Sequence, residues 1–244
     1  MKRALLAVAV LFLSLWGREG AAGPFGPTLP PSRVEDTLLS AGYFRRSTEW
    51  KPKTPNFPKL VVQRNLAYVE LADPYWCISE DGTGFLRIGG ADFDDGEGYK
   101  PGYKPFGSAG MRDTWYGGRR SRFSVGTILQ GSYFMGSETE STFPSGIVAK
   151  AKVTRLWEAS LGISAQLRIG ERFLVYGGPA ATYGMLKWRR SVAGGTPEEA
   201  EYKNKDIFGL FGGARLYLSR RWILEAEAHG PGSFSGGASV VCVF

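Results

Sequence analysis

One stretch limits the architectures open to this chain more than any other. Across residues 152–169, Val153, Trp157, Ala159, Leu161, Ile163, Ala165, Leu167 and Ile169 form an apolar row, while Glu158, Ser160, Gly162, Ser164, Gln166 and Arg168 alternate with them. Successive side chains of a strand point to opposite faces, so the stretch predicts a strand with one apolar and one polar face. It exceeds the roughly 9 to 11 residues that a strand needs to cross a bilayer. An apolar-out, polar-in strand of that length suits a transmembrane barrel, where one row meets lipid and the other lines a lumen.

The same alternation recurs. In residues 122–135, Phe123, Val125, Leu129, Tyr133 and Met135 oppose Ser124, Gly126, Ile128, Gln130, Ser132 and Phe134. In 207–218, Phe208, Leu210, Ala214, Leu216 and Leu218 oppose Phe211, Arg215 and Tyr217; after a turn, Trp222, Leu224, Ala226 and Ala228 oppose Glu225, Glu227 and His229. With further strands over 36–50, 60–72, 84–92, 105–116, 173–189 and 234–244, the expectation is an all-β, up-and-down antiparallel barrel of about ten strands, or eight if the first hairpin stands outside it. Long connections at 51–59, 93–104, 137–149 and 191–203 alternate with short ones after Tyr116, Ile169 and Leu218. Short periplasmic turns and longer external loops then place both termini in the periplasm. Aromatics predict two interfacial girdles: Trp115, Tyr116, Phe123, Phe173, Tyr217, Trp222 and Phe244 at one end, Tyr43, Trp50, Phe106, Tyr133, Trp157, Trp188, Phe208 and Phe234 at the other.

The N-terminus reads as an export signal. Lys2 and Arg3 precede an apolar run over 4–16, and Gly20, Ala21 and Ala22 supply small residues for cleavage. The run is too short for a spanning helix, which needs about 20 apolar residues. The organisation expected is a signal peptide over 1–22, a proline-rich periplasmic lead-in over 23–35 and a barrel over 36–244. Two cysteines, Cys77 and Cys242, permit one disulfide in an exported chain, and the reading leaves a bridge and two free thiols equally open.

The ending VVCVF, with Val240, Cys242 and Phe244 on one face, resembles the C-terminal insertion signature of Gram-negative outer-membrane β-barrels. Together with ASLGISAQLRI, LVYGGPAATYG and GLFGGARLYL, it makes the chain similar to the small porin-like barrels of that group. The resemblance implies residence in the cell outer membrane, contact with its lipid and lipopolysaccharide, and insertion by the barrel assembly machinery. It implies no single activity.

Function rests on the inward-facing polar residues: Glu70, Arg87, Arg112, Gln130, Gln166, Arg168, Arg215, Glu225 and Glu227. In a narrow barrel such charges pair to satisfy one another and the lumen is filled; in a wider one they line a passage that selects small solutes. The expected role is structural anchoring or a narrow porin-like passage, not catalysis. Glu227 and His229 share a face at a spacing similar to the carboxylate and histidine of omptin-type proteases, which keeps an outer-membrane enzyme as the alternative, with a soluble periplasmic binding sheet behind it. One histidine and two distant cysteines make no metal cluster, and no cofactor is expected. The formal charge of +7 is read as contact with anionic head groups or solutes, not nucleic acid.

Overall fold

The computed structural model describes residues 25–28, 36–54, 57–77, 81–94, 102–117, 121–142, 148–192, 196–230 and 235–244. The expected signal peptide lies outside these residues. Twelve strands follow in order: β1 (Leu38–Pro52), β2 (Leu60–Asp73), β3 (Gly82–Ala91), β4 (Lys104–Tyr116), β5 (Phe123–Phe134), β6 (Ser137–Thr142), β7 (Val148–Ile169), β8 (Phe173–Val192), β9 (Glu198–Asn204), β10 (Phe208–Tyr217), β11 (Trp222–Gly230) and β12 (Ser235–Val243). Ten of them form a closed antiparallel ring, β1-β2-β3-β4-β5-β7-β8-β10-β11-β12, completed where Leu38 to Arg46 of β1 pair with Ser235 to Val243 of β12. The first hairpin is therefore part of the wall, which makes the barrel ten-stranded and not eight-stranded.

β6 and β9 correct the sequence reading, which had loops over 137–149 and 191–203. β6 pairs with the first turn-ward residues of β7, and β9 bridges β8 to the last residues of β1. Their sequences, SETEST and EEAEYKN, lack an outward apolar row because they lie beyond the belt of apolar outward residues. Ion pairs replace that row: Glu138 with Lys152 at 3.0 Å, Glu140 with Lys150, and Lys187 with Glu199 at 2.9 Å.

The end of the barrel carrying Leu38 and Phe244 is called here the near end, and the opposite one the far end. Near-end turns are tight. Gly170, between β7 and β8, adopts φ 66, a left-handed conformation that glycine enters without steric cost. After β2, Asp73 caps a single 3₁₀ turn, Pro74–Trp76, by accepting the Tyr75 N–H at 2.9 Å. Cys77 follows this turn; Cys77 and Cys242 are both free thiols.

Across the belt, Val69, Leu71, Leu86, Ile88, Leu129, Leu161, Ile163, Leu167, Leu210 and Leu224 face outward and are exposed. Their alternates Glu70, Arg87, Gln130, Ser160, Ser164, Gln166 and Ile223 are buried. Three members of the expected far girdle go inside instead. Trp50 and Phe106 are buried, and Trp188 packs with them, because β1, β4 and β8 continue past the belt and their inward positions there fill the barrel. Tyr217 of the near girdle likewise packs inward. Phe234 lies outside the described residues. Val153, placed by the sequence on the apolar outer row, is buried: the register of β7 on β8 shifts between Val153 and Arg155, and the bulge reverses which face each residue takes.

Leu129 and Leu161 are cross-strand partners on the outer face in the middle of the belt. Leu129→Arg should cost about 2–4 kcal/mol in urea titrations of the protein folded into liposomes, the range for a cation on the lipid face near the midplane. Arg155→Leu, at the bulge and past the belt of apolar outward residues, should be nearly neutral in the same titration.

Candidate functional site

The lumen is the site, and it is filled from side chains on nearly every strand. At its near-end half, Glu70 of β2 receives two arginines. Arg87 of β3, opposite it in register, pairs with Oε2, and Arg112 of β4 donates from Nη1 to Oε1 at 2.9 Å and from Nη2 to Oε2 at 3.1 Å. Across the lumen, Arg215 of β10 and Glu225 of β11 are register partners, with Nε and Nη2 donating to Oε2 at 2.9 and 2.7 Å. Arg87 and Arg112 also stack over Tyr68 and Phe85, with guanidinium-to-ring distances of 4.6 and 4.3 Å. Such stacking suits a weakly hydrated planar cation held away from water.

The third carboxylate of this layer, Glu227, is held by the chain's own N-terminal segment. Phe25 N–H donates to Glu227 Oε1 at 2.6 Å and Gly26 N–H to Oε2 at 2.7 Å, while Tyr176 O–H adds 2.9 Å to Oε2. Arg112 Nε donates to the Phe25 carbonyl at 2.6 Å, and Gln166 donates to Thr28 Oγ1. Residues 25–28 are all buried. They run inside the barrel, which corrects the expected periplasmic lead-in for these four residues. The physical reason is satisfaction of charge: three carboxylates face three guanidiniums, and the backbone of the segment supplies the remaining donors and acceptors. Gly26 sits at φ 69, and a Cβ there would come within 3.1 Å of Glu225 Oε1 and 3.3 Å of Arg112 Nη2, so glycine is needed for both conformation and clearance. The space left between Tyr68, Glu70, Arg87, Arg112, Arg215 and Glu225 is a cavity of about 20 Å³, enough for roughly one water.

The rest of the predicted lumen set falls as follows. Gln130 accepts from Arg87 at 3.4 Å and donates to Ser132 Oγ at 3.3 Å; Arg168 stands half-buried at the near rim. Val240 and Phe244 are exposed on the outer face and Cys242 is partly exposed between them, whereas Val241 and Val243 point inward. His229, next to Glu227 at 2.5 Å, is 3% exposed and enclosed by the rings of Phe25, Phe44 and Phe211 at 5.2, 5.4 and 5.8 Å. Both Glu227 oxygens are engaged and the imidazole is buried.

Sequence reasoning missed a second charged cluster. Arg46 of β1 and Arg64 of β2 are register partners, and Glu158 of β7 reaches across to both. Glu158 was visible on the polar row of its strand. Arg46 was hidden because alternation in β1 is weak, with Arg45 beside it exposed and Ser47 and Thr48 both buried. For the N-terminal segment one signal existed: Phe25, a lone aromatic in a proline-rich stretch, has a reason to be there only if it is buried.

Above the second cluster an apolar layer closes the far end, built from Trp50, Val62, Phe93, Phe134, Val153, Leu156, Leu186 and Tyr202. Below the first, Leu38, Ala72, Phe85, Ile223, Val241 and Val243 do the same at the near end. Among the described residues there is no cluster of metal-ligating side chains.

A solved structure shares the barrel fold. The translocator domain of the autotransporter NalP from Neisseria meningitidis aligns over 88% of this chain and 91% of its own at a TM-score of 0.50, with 11% identity. The chain shares the closed antiparallel β-barrel fold of that domain. The transport unit of the autotransporter AIDA-I from Escherichia coli aligns over 86% and 89% at 0.43 with 8% identity, and Ail of Yersinia pestis over 86% and 99% at 0.34 with 13%. No family model matches the chain, and neither does any curated relative.

Glu70→Gln should lower the unfolding free energy by about 3–5 kcal/mol, since it leaves two buried guanidiniums short of their counter-charge. Denaturant titration followed by tryptophan fluorescence measures this, and adding Arg87→Met should recover part of the loss.

Proposed function

We propose that this chain is a non-conducting outer-membrane barrel that serves as a structural anchor, with both termini on the periplasmic side. The observation that carries the reading is the filled lumen: two apolar layers, two ion-pair clusters and residues 25–28 occupy the interior from one end to the other. Conduction needs a continuous water-filled path, and the near-end cluster leaves room for about one water. The narrow porin-like passage is the weaker reading on this ground. The Glu227–His229 pair acts here as a latch for the N-terminal segment and not as a hydrolytic dyad. The partners that follow are outer-membrane lipid and lipopolysaccharide against the outer apolar belt, and the barrel assembly machinery, which would read Val240, Cys242 and Phe244 at the last strand.

Purified barrel, shown to be folded by heat-modifiable gel migration, should give no discrete current steps in a planar bilayer. A variant lacking residues up to Thr28 should also stay silent, because the far-end apolar layer remains, yet it should unfold at lower denaturant than the parent. Salt-dependent steps from the parent protein would replace anchoring with passage; steps only from the truncated form would make the N-terminal segment a true plug.

A further inference from the structure

The two charged clusters of the lumen differ in balance. Around Glu70, three carboxylates meet three guanidiniums. Around Glu158, two guanidiniums share one carboxylate: Arg64 donates from Nη2 to Oε1 at 2.8 Å and from Nη1 to Oε2 at 3.3 Å, and Arg46 pairs with Oε2 as well. Arg46 is 2% exposed and Arg64 0%, and they stand directly opposite one another on neighbouring strands. Among the described residues no other carboxylate reaches either. Arginine does not shed its proton in proteins, and like charges placed directly opposite across a ladder repel. One buried positive charge is therefore left over.

Donors are in excess at the same place. Arg46 Nε, Arg46 Nη2 and Arg64 Nε are buried with no acceptor among the described residues. Thr48 Oγ1 accepts from Arg64 Nη2 at 3.3 Å, and the face of Arg64 is covered by the Phe134 ring at 4.9 Å. Water would satisfy the N–H groups and leave the charge; an anion satisfies both. Phe44 and Leu156, two residues before Arg46 and Glu158 on their strands, are fully buried, as is Phe134 over Arg64, and surroundings so close and apolar exclude a bulky organic anion.

We propose that Arg46 and Arg64, beside Glu158, form a buried site for one small monovalent inorganic anion of the chloride class, taken up as the barrel closes. The inference is independent of whether the barrel conducts. It is tested by following heat unfolding of the detergent-folded protein from about 10 mM to about 1 M chloride against gluconate at matched ionic strength; a ligand bound only by the folded state raises the midpoint with its concentration. The expected result is a midpoint that rises by several degrees in chloride and not in gluconate, and an Arg46→Met variant that has lost the difference. Crystals of the unaltered protein grown in bromide supply the second measurement, with an anomalous peak expected within hydrogen-bond distance of Arg46 Nε or Nη2. Identical curves in the two salts, an undiminished chloride response in Arg46→Met, or no bromide peak beside Arg46 would each overturn the site.

Discussion

Pairing of β12 with β1 is the constraint from which the rest of this structure follows. Closure gives the first and last strands of the ten-stranded ring a neighbour on both sides, so their ladder groups pair within the wall, which is the condition for a sheet to sit in lipid. It also encloses ten rows of inward side chains in a space that they must fill. The outer face is solved cheaply by leucine, isoleucine and valine. The inner face is the harder problem, since strands that alternate must put something polar or bulky inward at every second residue.

The interior meets that problem in layers. Apolar residues close each end, and charges between them are matched across the lumen instead of along one strand: Arg112 to Glu70, Glu158 to Arg46. Buried ion pairs contribute little net stability against apolar replacements, so their value here is geometric. Those from Arg112 to Glu70 and from Glu158 to Arg46 and Arg64 link strands that are not neighbours in the wall and fix one arrangement of it. Residues 25–28 belong to the same solution, since their backbone offers Glu227 two N–H donors and Arg112 a carbonyl. Pro27 and Gly26 cannot serve a ladder well, yet they suit a short extended piece with a left-handed bend inside a closed wall.

Much of this was legible in the residues. The period of two in β5, β7, β10 and β11 gave inward and outward sets that the burial of Gln130, Gln166, Arg215 and Glu227 matches. What alternation does not carry is which inward groups meet across the lumen, because that depends on strand register around the whole ring. Arg64 and Glu158 are 94 residues apart and nothing local joins them. The bulge at Val153 was invisible for a related reason: one extra residue changes the face of everything beyond it, and the sequence there shows no glycine or proline to announce it. β6 and β9 were missed because strands outside lipid need no apolar row, and so look like loops.

The same strands therefore obey opposite rules at different heights. Within the belt, β7 and β8 carry Leu161, Ile163 and Leu167 outward and Ser160, Ser164 and Thr182 inward. Further toward the far end they carry Lys152, Arg155 and Arg189 outward and Val153, Leu156 and Leu186 inward, the bulge between Val153 and Arg155 keeping Val153 inside. Apolar-out with polar-in becomes polar-out with apolar-in, which is the arrangement of a water-soluble barrel. The reversal falls just past the outward aromatic pair Trp157 and Tyr183, whose rings lie 5.7 Å apart. Interfacial rings prefer the boundary between hydrocarbon and water, so this level marks where lipid gives way to solvent. The far end is then a soluble extension with its own aromatic core. Its exposed ion pairs, which add little stability in themselves, keep that surface hydrated, and the apolar core beneath them holds the extension together.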